Sequence, residues 1–234
     1  MLKIENLSKS YSKGTYAVKN LNLEIEAGDV YGFIGHNGAG KTTTIKAATG
    51  VMQFDEGDIY IDGISIKEDP VACKRLIAYI PDTPELYENM TGMKYLGFIS
   101  DIYSLTTSER TERIAEYASA LELDTLNDSI ASYSHGMKQK LVIIAGFIHS
   151  PKLLIMDEPF VGLDPKATHT VKQLMSDMCA TGGAVFFSTH ILEVAEKICN
   201  KMAIIKNGEL VKAGTTEEVK GDSSLEEIFL EITE

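Results

Sequence analysis

Tryptophan is absent from this chain of 234 residues, cysteine occurs three times, and basic residues are outnumbered by acidic ones, 22 to 34. Each shortage removes a class of protein. The cysteines, Cys73, Cys179 and Cys199, are far apart and odd in number, so they make neither a disulfide framework nor a thiolate metal cluster and fit a reducing compartment. A formal charge of −12 leaves no basic excess for a general nucleic-acid surface, and no nucleic-acid partner is expected. Long apolar runs are missing too. The longest, Leu141 to Ile148, is far too short to cross a bilayer, and Met1 to Glu5 lack the apolar core of a secretory signal. The chain is expected to be soluble, with any membrane role carried by a partner. What is present is ordinary globular material: 44% hydrophobic and 24% charged residues can build a core, which argues against general disorder.

Strand patterns dominate the first sixty residues. Leu2, Ile4 and Leu7, then Val18, Leu21, Leu23 and Ile25, have the spacing of half-buried β-structure. Val30–Ile34 is a compact apolar strand that runs into a glycine-rich loop, and Lys41 to Thr49 reads as a helix stopped by Gly50. Ile59–Ile61 and Leu76–Ile80 are further strand candidates. From about Met90 to Ser150 the period becomes helical, with one apolar face on Ile114, Tyr117, Ala118 and Leu121 and another on Met137, Leu141, Ile144 and Ile148. Strands and helices then alternate: Leu153–Met156, a helix face on Val171, Leu174, Met175 and Met178, Val185–Phe187, and a hairpin turning at Asn207-Gly208. The alternation predicts an α/β fold with a mainly parallel sheet, an N-terminal antiparallel β region and a helical lobe inserted at about 84–150. The last twenty residues, with seven acids and one lysine, read as a short, solvated, acidic helical tail over 215–234.

Two motifs carry chemistry. Gly35-His36-Asn37-Gly38-Ala39-Gly40-Lys41-Thr42 fits the phosphate-binding G-x-x-x-x-G-K-[ST] loop, with the required strand before it and helix after it. Successive backbone amides and the helix start favour phosphate. Lys41 is placed for the β- and γ-phosphates, Thr42 for Mg²⁺ and Thr43 for an inner phosphate. Asp157 and Glu158 end a buried strand, where open α/β sheets collect ligands. Asp157 is expected to hold Mg²⁺, and Glu158 to orient and deprotonate the attacking water.

At this point the sequence resembles the nucleotide-binding subunits of ABC transporters over nearly its whole length. Ser134-His135-Gly136-Met137 is similar to the family's signature, Gly162-Leu163-Asp164 to its D-loop, and Ser188-Thr189-His190 to its switch histidine. Tyr11 stands where the family places an aromatic ring against adenine. Two departures are visible: Tyr133-Ser134-His135-Gly136-Met137 replaces Leu-Ser-Gly-Gly-Gln, and Asp82 stands in place of the Q-loop glutamine, where its oxygen is a candidate metal contact.

The resemblance implies a single ABC ATPase domain over 1–234, with ATP and Mg²⁺ as cofactors. It implies catalysis by Lys41, Glu158 and His190, and nucleotide contacts from Tyr11, Gly35 to Thr43, Ser134 and Gly136, the last two serving the ATP of a second copy or a homologous subunit. Integral membrane permease subunits are the implied partners, and the cytoplasmic face of the cell membrane the implied location. The departures are similar to bacterial efflux-type subunits, which implies export. A soluble ABC-type ATPase, or a nucleotide-binding regulatory module uncoupled from transport, is the alternative.

Overall fold

The computed structural model describes residues 1–12, 14–221 and 223–233, with side chains through residue 230. In chain order the elements begin with β1 (Leu2–Ser12), β2 (Thr15–Ile25), β3 (Val30–Ile34), α1 (Lys41–Ala48), β4 (Glu56–Ile61) and β5 (Ile64–Ser65). Next come α2 (Pro70–Leu76), β6 (Ile77–Ile80), α3 (Gly92–Ile102), α4 (Thr107–Ala120) and α5 (His135–Phe147). The chain continues with β7 (Leu153–Asp157), α6 (Pro165–Ala180), β8 (Ala184–Thr189), α7 (Leu192–Ile198), β9 (Lys201–Lys206) and β10 (Glu209–Thr215). Helices α8 (Thr216–Lys220) and α9 (Leu225–Thr233) follow.

The N-terminal strands build an antiparallel sheet ordered β2-β1-β4-β5. Its apolar pattern contains two missteps, from Ile4 to Leu7 and from Val18 to Leu21. A strict period of two would turn one member of each pair away from the core. Instead the β1–β2 register shifts on both sides of the Leu7–Leu21 pair, where Asn6 and Asn20 take left-handed φ values of 52° and 49°. Each bulge absorbs one residue and returns Leu7 and Leu21 to the buried face.

The second sheet is ordered β10-β9-β3-β8-β7-β6 and is parallel except for β10. Its inner strands β3, β7 and β8 are buried along nearly their whole length and are apolar except at the C-terminal ends of β7 and β8. Leu153 and Ile155 of β7, with Ala184 and Phe186 of β8, face α1 and the antiparallel sheet. Leu154, Met156, Val185 and Phe187 face the core shared with α3 to α6. Each of these side chains except Ala184 contributes roughly 1.5–3 kcal/mol when fully buried. The same alternation sets the chemistry. Asp157 and Ser188 are register partners, and they continue the odd series of β7 and the even series of β8 onto the α1 face, beside the glycine-rich loop.

The hairpin turns at Asn207 and Gly208 with φ of 50° and 82°, both left-handed, as a two-residue primed turn requires. Two local expectations change. Leu76 closes α2 and the strand begins at Ile77, because Asp69 caps a helix with Pro70 in its first turn. The acidic C-terminal segment is not simply solvated, since Val219, Leu225 and Ile228 are buried in the helical core. Among the described residues, no helix is long and apolar enough to cross a membrane.

Candidate functional site

The first backbone amides of any helix lack partners inside it, and side chains usually take them. Here Asp69, Thr91, Thr106, Ser134, Asp164 and Thr215 cap α2, α3, α4, α5, α6 and α8. The short helix α7 starts at Ile191 without a side-chain cap but has Glu193 in its first turn, and helix α1 departs further. Its cap is Gly40, which offers no side chain, and its first turn holds no acid. Gly40 has φ 112°, and a Cβ there would lie 2.5 Å from the Ala17 carbonyl oxygen, so the position excludes a capping side chain on steric grounds as well. The result is a helix start with donors open and the positive end of its dipole bare, suited to an anion.

A cleft of about 340 Å³ lies over this helix start, lined by Tyr11, Ala17, His36 to Gly38, Gly40 to Thr43, Asp82, Asp157 and Glu158. Lys41 is buried and donates from Nζ to the carbonyls of Gly35 at 2.6 Å and His36 at 3.3 Å. Its Nζ also lies 3.5 Å from Glu158 Oε1. The other Glu158 oxygen, Oε2, is 2.9 Å from His190 Nδ1. Glu158 therefore sits between two nitrogens, one from the phosphate loop and one from the end of β8. Its own backbone is in the left-handed region, at φ 47°, a conformation that costs a non-glycine residue on the order of 1–3 kcal/mol. Asp157 is 1% exposed. Its Oδ1 accepts from Ser188 Oγ at 2.5 Å, while Oδ2 is buried without a hydrogen-bond partner.

Other expected residues lie at the rim or beyond it. The Tyr11 ring is 67% exposed, and its hydroxyl is 3.2 Å from Thr43 Oγ1. Asp82 lines the cleft edge, its Oδ1 accepting from the Thr83 amide at 2.8 Å. Ser134 and Gly136 do not line the cleft. Ser134 is exposed and caps α5 by accepting from the Met137 amide at 3.2 Å. Gly136 packs against the neighbouring loop so closely that a Cβ would come within 2.7 Å of the Gly162 carbonyl oxygen. Asp164 caps α6 through the Ala167 amide and pairs with Lys140 at 3.0 Å. Those contacts, the amide first, hold its carboxyl below the usual carboxylate range.

Two further groups escaped the sequence reading as individuals. In sequence Ser188 is only the first residue of the Ser-Thr-His run, yet its hydroxyl joins Asp157 to the Glu158 amide, which donates to it at 3.0 Å. The strand register would have found it. Tyr79, on β6, has a buried, unpartnered hydroxyl. Burial chiefly, then the Asp157 and Asp82 carboxylates, push its pKa upward.

Among the described residues, no cluster of three or more His, Cys, Asp and Glu side chains makes an all-protein metal cage. Mg²⁺ does not need one, because it binds through one or two carboxylates, waters and the substrate's phosphates. The free Oδ2 of Asp157, with the Thr42 hydroxyl in the same cleft, fits that donor set.

The family model described as "ABC transporter" matches residues 18–161. The ABC-type transporter ATP-binding protein EcsA of Bacillus subtilis (strain 168) is 35% identical over 100% of this chain and 96% of its own length. A solved ATP-binding subunit of an ABC transporter superposes with a TM-score of 0.95 at 35% identity, covering 100% of both chains. The dimeric cassette MJ0796, in a post-hydrolysis state bound to ADP and Pi, gives a TM-score of 0.84 at 25% identity over 92% of this chain and 99% of that one.

Proposed function

Since the chain belongs to the ABC transporter family, as one of its ATP-binding ATPase subunits, we propose that two copies close around ATP and drive a separate membrane protein that moves substrate outward. The observation that carries this reading is the division of groups. The uncapped start of α1, Lys41, Asp157 and Glu158 share one cleft, whereas Ser134 and Gly136 start another helix outside it. A triphosphate seated on one copy has the second set of donors only if another copy supplies them. The dimeric state of the similar MJ0796 cassette supports the same arrangement.

In this reading the α1 amides and Lys41 hold the β- and γ-phosphates, and Tyr11 meets the base from the rim. Thr42 and Asp157 would hold Mg²⁺, with Asp82 as a further oxygen at the edge. The metal, when bound, supplies neutralisation of charge on the phosphate oxygens. Glu158 orients the attacking water and accepts its proton, and His190 fixes the carboxylate and reaches the γ-phosphate. With nucleotide present, Lys41 turns from Glu158 toward phosphate, which frees the carboxylate for water. Ser134 and Gly136 of the second copy complete the enclosure, and hydrolysis removes the bridging charge. The differential affinity of ATP for closed and open pairs is the source of the work.

Residues 84–150 act as a lobe that transmits closure, and 215–234 as an accessory helical segment. A cavity of about 400 Å³, lined by α3, α5, β6 and the residues after it, adjoins the nucleotide cleft, and Asp82 lines both. Val51 at its wall and Phe98 and Ile102 on α3 are exposed apolar residues. We assign the membrane partner to this groove, which would place the chain peripherally at the cytoplasmic face. The outward direction is supported by the departures at Tyr133 to Met137 and at Asp82, which resemble efflux-type subunits.

Light scattering of Glu158→Gln with MgATP tests the central claim. The mass should double on ATP addition while hydrolysis nearly stops. A variant that stays monomeric at saturating ATP and turns over at the parental rate would overturn it. Co-purification from membranes should bring down a multi-span protein with the parent, and substitution of Val51 and Ile102 by aspartate should lose it.

A further inference from the structure

We propose that Ser188 is a positioning residue for hydrolysis, which orders both acidic residues through one hydroxyl and presents Asp157 Oδ2 to the metal. This rests on the roles proposed above for Asp157 and Glu158.

The direction of each hydrogen bond is forced. The Glu158 amide can only donate, so at 3.0 Å Ser188 Oγ is its acceptor. The hydroxyl hydrogen is then left for Asp157 Oδ1 at 2.5 Å. Ser188 is fully buried, so water does not replace either contact. Its place is set by register, because Asp157 and Ser188 are direct partners between the parallel strands β7 and β8.

Two consequences follow for chemistry. With Oδ1 engaged by Ser188, the carboxylate has one orientation, and Oδ2 is the oxygen left without a protein partner. A free carboxylate would rotate between equivalent poses and order the metal less well. Groups that orient metal-binding side chains in this way are typically worth about 10–100-fold in metal affinity or activity. The second bond anchors the peptide at Glu158, where φ is 47°. A left-handed non-glycine residue persists only where its surroundings over-determine it. Ser188 supplies part of that restraint at the residue that must aim at water. A serine serves here because it donates and accepts through one small oxygen. Alanine can do neither.

The phosphate grip does not pass through Ser188, since Lys41 bonds the Gly35 and His36 carbonyls and α1 offers its own amides. Loss of the hydroxyl should thus separate metal use and turnover from nucleotide affinity. In Ser188→Ala the Mg²⁺ concentration for half-maximal ATPase should rise about 10-fold or more, and kcat should fall roughly 10- to 100-fold. KM for MgATP should change by less than about 3-fold, and fluorescent ADP binding without Mg²⁺ should match the parent. Mn²⁺ titration followed by electron paramagnetic resonance, with ADP bound, should show the same weakening without turnover. Ser188→Thr, which keeps the hydroxyl, should recover most of both losses.

A merely structural serine gives another pattern. Ser188→Ala would then melt at a lower temperature while its Mg²⁺ midpoint, Mn²⁺ affinity and kcat stayed parental, and the proposal would be overturned. If the alanine variant does not fold, Ser188→Cys, close in volume but a weak donor, is read by the same criteria. Lys41→Ala and Glu158→Gln run beside these variants. If they hydrolyse ATP like the parent, the function proposed for the site falls and this inference with it. If they are inactive while Ser188→Ala is indistinguishable from the parent, this inference alone falls.

Discussion

The starts of α1 and α5 face opposite demands and are built differently. Helix α1 begins inside a cleft at Gly40, with its first amides uncapped and Lys41 buried beside them. Helix α5 begins at the surface, where Ser134 accepts from the Met137 amide. A buried helix start left open is costly unless a ligand closes it. An exposed one can satisfy itself and still donate, because the serine hydroxyl hydrogen remains available. One terminus offers open donors inside a cleft, and the other satisfies its own amides at the surface. In the proposed function, the contrast means that half of a nucleotide enclosure is organised within the chain and half faces outward.

Substitutions can break this contrast at either end. Lys41→Ala should have the largest effect, lowering ATPase about 100- to 1,000-fold and weakening nucleotide binding to the monomer, as titration with fluorescent ADP would show. Glu158→Gln should cost about 100-fold in turnover yet keep nucleotide affinity, with ATP shifting the protein to a pair in size-exclusion chromatography. Ser134→Ala should be milder, about 10-fold in ATPase, while ADP binding to the isolated chain stays within about 2-fold. Comparable ADP-binding losses in Ser134→Ala and Lys41→Ala would erase the distinction between the two termini.

The smallest effect should come from a group remote from both. His149 stacks on Tyr103 with ring centroids 3.6 Å apart, and burial holds its pKa below the ordinary histidine value. Its folded pKa is depressed, so below about pH 6.5 the unfolded chain binds more protons. Stability should rise with pH and be lost as pH falls from about 6.5 toward the folded value. The melting temperature should therefore drop by a few degrees between pH 7.5 and 5.5, and less in His149→Gln, while nucleotide affinity at pH 7.5 is alike in both.

Much of this organisation is legible in the residues. The β3–loop–α1 unit announces itself because a glycine-rich run with a lysine lies directly between an apolar strand and a helical period. Asp157 and Glu158 are readable because a wholly apolar strand ends in two acids. The hairpin at Asn207-Gly208 is readable because its turn demands left-handed residues. What is not local is not legible. Leu76 belongs to the apolar run of β6 by composition, but the Asp69 cap and Pro70 extend the helix through it. The acidic tail conceals Val219, Leu225 and Ile228, whose burial depends on a core assembled from distant segments. Ser188 acquires its contacts from the alignment of two strands separated by α6, which no motif records.

The carbonyl of Ala17 has a wider consequence. It crowds Gly40 on one side and Gly208 on the other, where added Cβ atoms would approach to 2.5 Å and 2.8 Å, and the Gly208 amide donates to the Ala39 carbonyl. The eight residues of the phosphate motif are thus moulded by two strangers in sequence, a strand near the N-terminus and a hairpin near the other end. Grafted alone into another scaffold, the octapeptide would lose its mould. Conversely, an insertion in the 207–208 turn, far from any phosphate contact in the chain, should present as a nucleotide-binding defect.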